Sequence, residues 1–300
     1  MLAAAMILDA VFGEPEPLWR RAPHPAVLMG RAVAWLDHTL NAGGTRRIKG
    51  ALAVVILATA AGCLGLAISA IPVLGPVLSV LGAAILLAQK SLVEHVAAVA
   101  DALRQGLAEA RHAVSMIVGR DPETLDEPAV ARAAIESCAE NFSDGVIAPA
   151  FWFLVAGLPG ILIYKAVNTA DSMIGHRTEK HREFGWAAAR LDDVLNLVPA
   201  RLSGLLIAAA AVSAESVQVM WRDARLHKSP NAGWPEAATA GALGLALAGP
   251  RIYDGIETSD PYLNPEGRRV ATASDIDATV ALIWRAWGAA LALVAVFALL

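Results

Sequence analysis

The sequence predicts an all-α, polytopic integral membrane protein with a re-entrant helical hairpin and helical cytoplasmic segments. Three observations predict it. Hydrophobic residues make up 56% of the 300 positions and charged residues only 17%, against roughly 25% charged in soluble domains. Several uncharged runs approach the roughly 20 residues that cross about 30 Å of hydrocarbon. Polar stretches alternate with those runs, and the longest of them repeats its apolar residues at helical spacing.

The first clear run is Ala51 to Ile71, and Pro72 to Gln89 is the second. Their link, Ser69 to Pro76, holds prolines, a glycine and no charge, as a tight turn between two spans requires. Arg46, Arg47 and Lys49 flank one end and Lys90 the other, so both outer ends are expected in the cytoplasm and the turn outside. Gly145 to Tyr164 is uncharged too, but Gly157-Leu158-Pro159-Gly160 breaks a helix at its centre. Two readings follow, a full span or a re-entrant hairpin. Charged cytoplasmic-type segments on both sides fit the hairpin, and irregular backbone at membrane depth needs protein or a water-filled cavity around it. Leu202 to Ala214 is short for a span. Ala237 to Pro250 is shorter and reads as a packed or re-entrant helix. Ala278 to Leu300 spans if Arg285 snorkels or is paired. Counting spans puts the loops after Met220 outside, whereas Arg222, Arg225 and Lys228 argue for inside.

Among the polar stretches, Ser91 to Val118 carries Val96, Val99, Leu103, Leu107, Ala110 and Val114 on one helical stripe. Asp126-Glu127-Pro128 starts a further helix that buries Ala131, Ala134, Ile135 and Cys138. Its other face aligns Arg132, Glu136 and Glu140 at i, i+4 spacing and reads as a solvated ion-pair row. The whole of 1–300 is expected to form one membrane-embedded domain, with a cytoplasmic helical insertion at about 91–144. The net charge of −4 suggests no nucleic-acid partner. Cys63 and Cys138 form no close pair and are expected as buried thiols. Met1 to Ile7 is apolar, but no basic region precedes it and Asp9 follows at once, so it is not read as a signal peptide.

Four segments carry candidate chemistry. Glu140-Asn141-Phe142-Ser143-Asp144-Gly145 sets two carboxylates and an amide at a membrane boundary, where they are costly unless they bind something or cap a helix. On a helix, Lys165, Asn168, Asp171 and Ser172 share one face, and Gly175 ends it. Thr178 to Asp193 offers Lys180 and Arg190 for phosphates, with Asp192 and Asp193 as oxygen ligands for a divalent ion. A juxtamembrane basic anchor explains those cations but not the paired aspartates. His227 to Glu236, with Ser229 and Asn231, reads as a structured loop rather than a helix, in which His227 is a site for binding or proton transfer. No G-x-x-x-x-G-K-[ST] loop, G-x-S-x-G or zinc-spaced histidine cluster occurs. From these residues alone, the chain is a membrane enzyme or transporter with phosphate-friendly loops.

The same blocks carry a family resemblance. Leu8-Asp9, Gly13-Glu14-Pro15, Pro23-His24-Pro25 with Gly30-Arg31, Val118 to Asp121, Glu140 to Pro149, Lys165 to Gly175, Phe184 to Asp193 and Ser229 to Glu236 run in order along nearly the whole chain. Together they resemble adenosylcobinamide-phosphate synthase, the CobD/CbiB type of cobalamin biosynthesis. Glu14 stands where an aspartate is usual and Phe142 where a smaller polar residue is commoner. A related membrane family linked to signalling shares parts of the pattern, but Ser229 to Glu236 favours the synthase.

The resemblance implies an ATP- and magnesium-dependent ligase. It would join aminopropanol, or its O-phosphate, to the free propionate of adenosylcobyric acid through an acyl phosphate. Asp144, Asp171, Asp192 and Asp193 are expected in catalysis, the last three also as magnesium ligands. Lys165, Lys180 and Arg190 are expected on phosphates. Glu140, Asn141, Asn168, Ser172, His227, Ser229, Asn231 and Glu236 are expected around substrates. The expected setting is the inner membrane, multi-pass, with a cytoplasmic site and other late cobalamin-pathway enzymes as partners. The alternatives are a non-catalytic corrinoid-binding or transport protein and a scaffold for those enzymes.

Overall fold

The structure is a computed structural model that describes residues 1–14, 19–118, 122–250, 252–253, 256–257 and 259–298. Pro15 and Gly119-Arg120-Asp121 of the family blocks lie outside the described residues. The chain divides into two compact units. The first joins Met1–Ala88 to Ala148–Asn196, and the second joins Gln89–Ile147 to Leu197–Leu300.

Helix α1 (Leu2–Phe12) buries Leu2, Ala5, Met6 and Asp9 and stops at Gly13, φ 59°. That is the i, i+3, i+4, i+7 stripe of an amphipathic helix, and its length of about 16 Å falls short of a bilayer. Helix α2 (Pro25–Leu40) begins at His24, whose Nδ1 accepts from the Ala26 N–H at 3.2 Å, with Pro25 in the first turn. Pro23-His24-Pro25 is therefore a helix start. Helix α3 (Arg46–Ser69) is the first predicted span, and helix α4 (Leu74–Leu86) follows a short turn. Cys63 is exposed on α3, against the expectation of a buried thiol. Only 28% of that apolar window is buried within the protein, because a spanning helix turns much of its apolar surface to lipid rather than to a core.

Gly106 splits the expected long helix into α5 (Gln89–Gln105) and α6 (Leu107–Ser115). The stripe is still visible: Val96, Val99, Ala110 and Val114 are all fully buried. Helix α7 (Glu127–Phe142) starts as its sequence requires, with Asp126 Oδ1 accepting from the Ala129 N–H at 2.9 Å. Its Arg132–Glu136–Glu140 face is not a solvated row. Glu140 is exposed, but Glu136 is only 5% exposed. Glu136 Oε1 accepts the Ala248 N–H at 2.7 Å and faces Arg132 at 4.0 Å, which satisfies a carboxylate that would otherwise be costly to bury.

The chain then runs through a π-helical turn, Ser143–Ile147, into helix α8 (Ala148–Ile174). The predicted break is present. Ala156 (φ −137°, ψ 17°) and Gly157 (φ 63°, ψ −151°) leave helical geometry. Gly157 sits in a region essentially reserved for glycine. A Cβ on Gly160 would lie 2.2 Å from the Trp152 carbonyl oxygen. Eight residues of straight helix would separate the two by about 12 Å, so the chain doubles back into a helical hairpin.

Helix α9 (Trp186–Leu195) closes the first unit's share of the chain, and helix α10 (Leu197–Ala211) follows in the second. Helix α11 (Ala214–Asp223) is capped by Ser213. Helix α12 (Gly233–Leu243) is buried over Gly233 to Gly241. The expectation of a loop over 227–236 is thus corrected: the helix starts at Gly233, since Pro235 in a first turn forfeits no helical bond. Among the described residues, four two-residue strands form two antiparallel pairs: β1 (Leu247–Ala248) with β4 (Tyr262–Leu263), and β2 (Ile252–Tyr253) with β3 (Ile256–Glu257). Helix α13 (Ala273–Phe297) begins with a Thr272–Asp275 capping box and keeps Arg285 exposed. Among the described residues, Arg46–Ser69, Leu74–Gln105, Glu127–Ile174 and Ala273–Phe297 are long and apolar enough to cross a membrane, and the α9–α10 pair is a fifth only if its two helices are counted as one span. The chain is a helical, multi-pass membrane protein.

Candidate functional site

In the first unit, packing decides which face of α8 is free for chemistry. Ala166, Ala170 and Ile174 join Val33, Leu36, Val54, Leu57, Phe184 and Ala188 in one apolar cluster. Their i, i+4, i+8 spacing turns Lys165, Asn168 and Ser172 away from it. Helix α9 reaches the same cluster through Ala188. Its entry is tight: a Cβ on Gly185 would sit 1.6 Å from the Ile174 carbonyl oxygen. That explains the glycine of the Phe184-Gly185-Trp186 block.

The two helices bring the predicted aspartates together. Asp192 is 8% exposed. Asn168 Nδ2 donates to its Oδ1 at 3.2 Å and Asn196 Nδ2 to its Oδ2 at 2.9 Å. Tyr164 Oη donates in turn to Asn196 Oδ1 at 3.0 Å, which sets the orientation of that amide. The charges of Asp171 and Asp193 both act on Asp192. Arg190 pairs with Asp193 at 3.0 Å, and Arg190 and His176 act on Asp171. Asn168, Asp171, Arg190, Asp192 and Asp193 thus form one polar cluster. Ser172 donates to the Asn168 carbonyl at 2.9 Å. Tyr164 and Asn196 were missed. Asn196 follows Asp192 at i+4 on a helix, a legible signal, but Tyr164 reads only as the end of an apolar run.

Lys180 lies elsewhere in this unit. Its Nζ pairs with Asp37 Oδ2 at 2.6 Å, beside Asn41 Nδ2 at 2.8 Å from Oδ1 and His181 Nε2 at 3.3 Å from Oδ2. Burial alone would raise the Asp37 pKa, but the donors Lys180, Asn41 and His181 outweigh it and hold it below the ordinary carboxylate value. This cluster ties the 178–185 segment to the end of α2, and sequence reasoning did not find Asp37.

The second unit holds the other candidates. Asn141 Nδ2 donates to the Ser137 carbonyl at 2.9 Å, so Asn141 does not cap a helix. Ser143 and Asp144 lie in the π-helical turn that follows. Such turns occur often at functional sites. Ser143 Oγ is buried without a hydrogen-bond partner among the described residues.

Downstream, His227 Nδ1 accepts the Ser229 N–H at 3.0 Å, and Nε2 faces Glu236 Oε1 at 3.6 Å. With Nδ1 accepting, the ring proton belongs on Nε2. His227 is therefore an orienting group here rather than a free base. Ser229 Oγ accepts from the Asn231 and Ala232 N–H groups at 3.2 Å each. Arg201, missed as a site residue, reaches Asn231 Oδ1 at 3.4 Å and lies over the Trp234 ring at 4.6 Å. Lys228 Nζ pairs with Asp260 Oδ1 at 2.8 Å. Both line a cavity of about 230 Å³ together with His227 and Ser229.

Among the described residues, no three His, Cys, Asp or Glu side chains are grouped closely enough to cage a metal ion. Magnesium does not need such a cage. It is commonly held by one or two carboxylates plus substrate phosphates, and the hard oxygens of Asp171 and Asp192 fit that donor set.

The model for the family described as CobD/Cbib protein matches residues 2–283. The chain belongs to this family. It is 53% identical to the Cobalamin biosynthesis protein CobD of Rhizobium meliloti (strain 1021), over 95% of this chain and 92% of that protein. The protein of the same description from Brucella suis biovar 1 (strain 1330) is also 53% identical, again over 95% and 92%. That of Rhodobacter capsulatus is 51% identical over 88% of this chain and 86% of its own length. No solved structure matches the chain.

Proposed function

We propose that this membrane protein of cobalamin biosynthesis is an ATP-dependent acid–amine ligase acting at the cytoplasmic face of the inner membrane. Its substrates would be adenosylcobyric acid and aminopropanol or its O-phosphate. Its family supports the pathway. The observation that carries the chemistry is the α8–α9 cluster, in which Asp192 is clamped at both oxygens by amides while Asp171 and Asp193 add charge beside it.

An unactivated carboxylate is a poor electrophile. A propionate oxygen of the corrinoid attacks the γ-phosphorus of ATP, the bond to the bridging oxygen breaks, and ADP leaves. The amine nitrogen then attacks the acyl carbon, loses a proton, and inorganic phosphate departs. Positioning and charge stabilisation do most of the work in such transfers. Asp171 and Asp192 would hold magnesium, which when bound supplies neutralising charge to the phosphates, while Asp193 pairs with Arg190 beside them. Lys165 and Arg190 offer cations to phosphate oxygens. Asn168 and Asn196 keep the Asp192 carboxylate in one orientation, and Tyr164 keeps Asn196 in place.

Purified protein in detergent or liposomes, given adenosylcobyric acid, ATP, magnesium and each amine in turn, should form amide, ADP and phosphate in equal amounts. Asp171→Ala should lower turnover by at least about a hundredfold, as loss of a group that acts in the transition state does, with membrane insertion unchanged. No product from folded protein with either amine sinks the ligase reading. Wild-type turnover in Asp171→Ala removes that residue from the site.

A further inference from the structure

The start of helix α3, in the first unit, gathers cations that the α8–α9 cluster does not use. Arg46, Arg47 and Lys49 stand there with no carboxylate on the same helix. The positive end of the helix dipole adds to their repulsion instead of offsetting it. Lys49 Nζ donates to the Ala42 carbonyl at 2.6 Å. Asp37, at the end of α2, is taken by Lys180 at 2.6 Å and His181 at 3.3 Å, and Glu179 and Glu183 are exposed. Among the described residues, no carboxylate pairs with Arg46 or Arg47.

Arg47 is nonetheless held in place. Its guanidinium carbon lies 3.8 Å from the centroid of the Trp186 ring at the start of α9. The two starts are packed together, since a Cβ on Gly50 would lie 1.8 Å from the Phe184 carbonyl oxygen. A guanidinium stacked on an indole keeps its in-plane N–H donors clear of the ring, and those donors match phosphate oxygens in pairs. Depth in the membrane argues what such a phosphate belongs to. Gly50 to Ser69 carries no charge and extends about 30 Å, the thickness of the hydrocarbon core. Arg46 and Arg47 then lie at headgroup level. Ile48, between Arg47 and Lys49, is 70% exposed, and Trp186 is 43% exposed. Apolar and indole surface beside cations fits the boundary between headgroups and acyl chains. A soluble phosphate gains nothing from it.

We propose that Arg46 and Arg47 hold the phosphodiester of an anionic phospholipid, with Ile48 and Trp186 against the first carbons of its acyl chains. Two cations with no paired carboxylate favour a headgroup of net negative charge, such as phosphatidylglycerol. A zwitterionic headgroup brings its own cation to the same place and is disfavoured. A lipid bound there bridges the start of α3 to the start of α9. The site stands whether or not the protein is a ligase.

Native mass spectrometry of the delipidated full chain in detergent tests this, with phosphatidylglycerol, phosphatidylcholine, inorganic phosphate and ATP as probes. Phosphatidylglycerol should bind at least about tenfold more tightly than phosphatidylcholine. Arg46→Gln combined with Arg47→Gln should weaken it by at least about tenfold. Arg177→Gln combined with Arg182→Gln removes the same charge from the adjoining exposed segment. That pair should change the affinity by less than about twofold, as screened charges outside the site do. Equal affinity for the two lipids overturns the anionic site. Equal losses in the two double variants overturn it as well, because a diffuse positive field then accounts for the binding. Displacement of phosphatidylglycerol by an equal concentration of inorganic phosphate or ATP assigns the arginines to a soluble ligand and overturns the lipid. If the Arg46, Arg47 double variant melts early, Arg47→Lys replaces it, keeping the charge but not the stacked fork. A loss of at least about threefold then supports the site, and wild-type affinity overturns it.

Discussion

Asp37 gathers three donors on one carboxylate, Lys180, Asn41 and His181, and its behaviour with pH follows from the direction of its shift. Burial opposes the charged form, but the donors win, so its folded pKa lies below its unfolded value. The charged form therefore stabilises the fold. That contribution is complete above the unfolded pKa and is lost as pH falls through the lowered folded one. Wild-type protein should lose more thermal stability on acidification than Asp37→Asn, which keeps the shape but cannot ionise. Melting midpoints across the acid range check this, and parallel curves for the two proteins refute it. At neutral pH, Asp37→Ala should cost about 1–2 kcal/mol, toward the low end because Lys180 is 65% exposed and its share is screened by solvent. None of this was legible beforehand. Asp37 and Lys180 are far apart in sequence, and a tertiary ion pair leaves no local pattern. The α8–α9 cluster was more legible, since Asn168 and Asp171 lie along one helix and Asp192 and Asp193 along another. Its clamp was half legible, through the i+4 spacing of Asn196.

At the scale of elements, local backbone chemistry predicted what packing later used. Gly157-Leu158-Pro159-Gly160 announced a break, and the structure places it at Ala156 and Gly157. A proline lacks the N–H that continues a helix, and Gly157 adopts a conformation that side-chain-bearing residues avoid. Gly157→Ala should destabilise the protein by about 1–3 kcal/mol. It should do so without any new clash, since the nearest atom to an added Cβ is Pro159 Cδ at 3.8 Å. Gly160→Ala differs in kind, because its Cβ meets the Trp152 carbonyl oxygen at 2.2 Å. Thermal melts of both in one detergent separate strain from collision: Gly157→Ala should melt lower but intact, and Gly160→Ala should melt lower still. A Gly157→Ala protein as stable as wild type would show that the hairpin turn tolerates a side chain. Sequence logic failed where two signals competed. Proline, asparagine and glycine over 227–236 suggested a loop throughout, yet Pro235 sits where a helix tolerates proline, and α12 begins at Gly233.

Across the whole molecule, the long apolar runs were the most legible feature, because crossing hydrocarbon demands length and an absence of charge, and both are visible in one dimension. The division into two units was not. The chain passes between them after Ala88, Ile147 and Asn196, and each passage lies in or beside an apolar helical stretch with no linker composition to mark it. Sidedness is the remaining property that sequence argues and structure alone does not supply. Helix α3 starts with Arg46, Arg47 and Lys49, and Lys90 follows α4. Cations held on the cytoplasmic side set orientation, so the turn holding Val73, which is 89% exposed, is predicted outside and Thr45 inside. In a Cys63→Ser, Cys138→Ser background, Val73→Cys should react with a membrane-impermeant maleimide in intact cells stripped of their outer barrier. Thr45→Cys should react only after the inner membrane is opened. Both backbones already hold positive φ at these positions, 65° and 60°, with β-branched residues that tolerate it poorly. A cysteine therefore adds no new strain, and the labelling reports access rather than misfolding. The reverse pattern would invert the protein in the bilayer and put the α8–α9 cluster beyond cytoplasmic ATP. Labelling of both sites in intact cells would mean that α3 does not cross. Either outcome would require the phosphoryl donor to be sought elsewhere, which makes this measurement decisive for the ligase chemistry as well as for the topology.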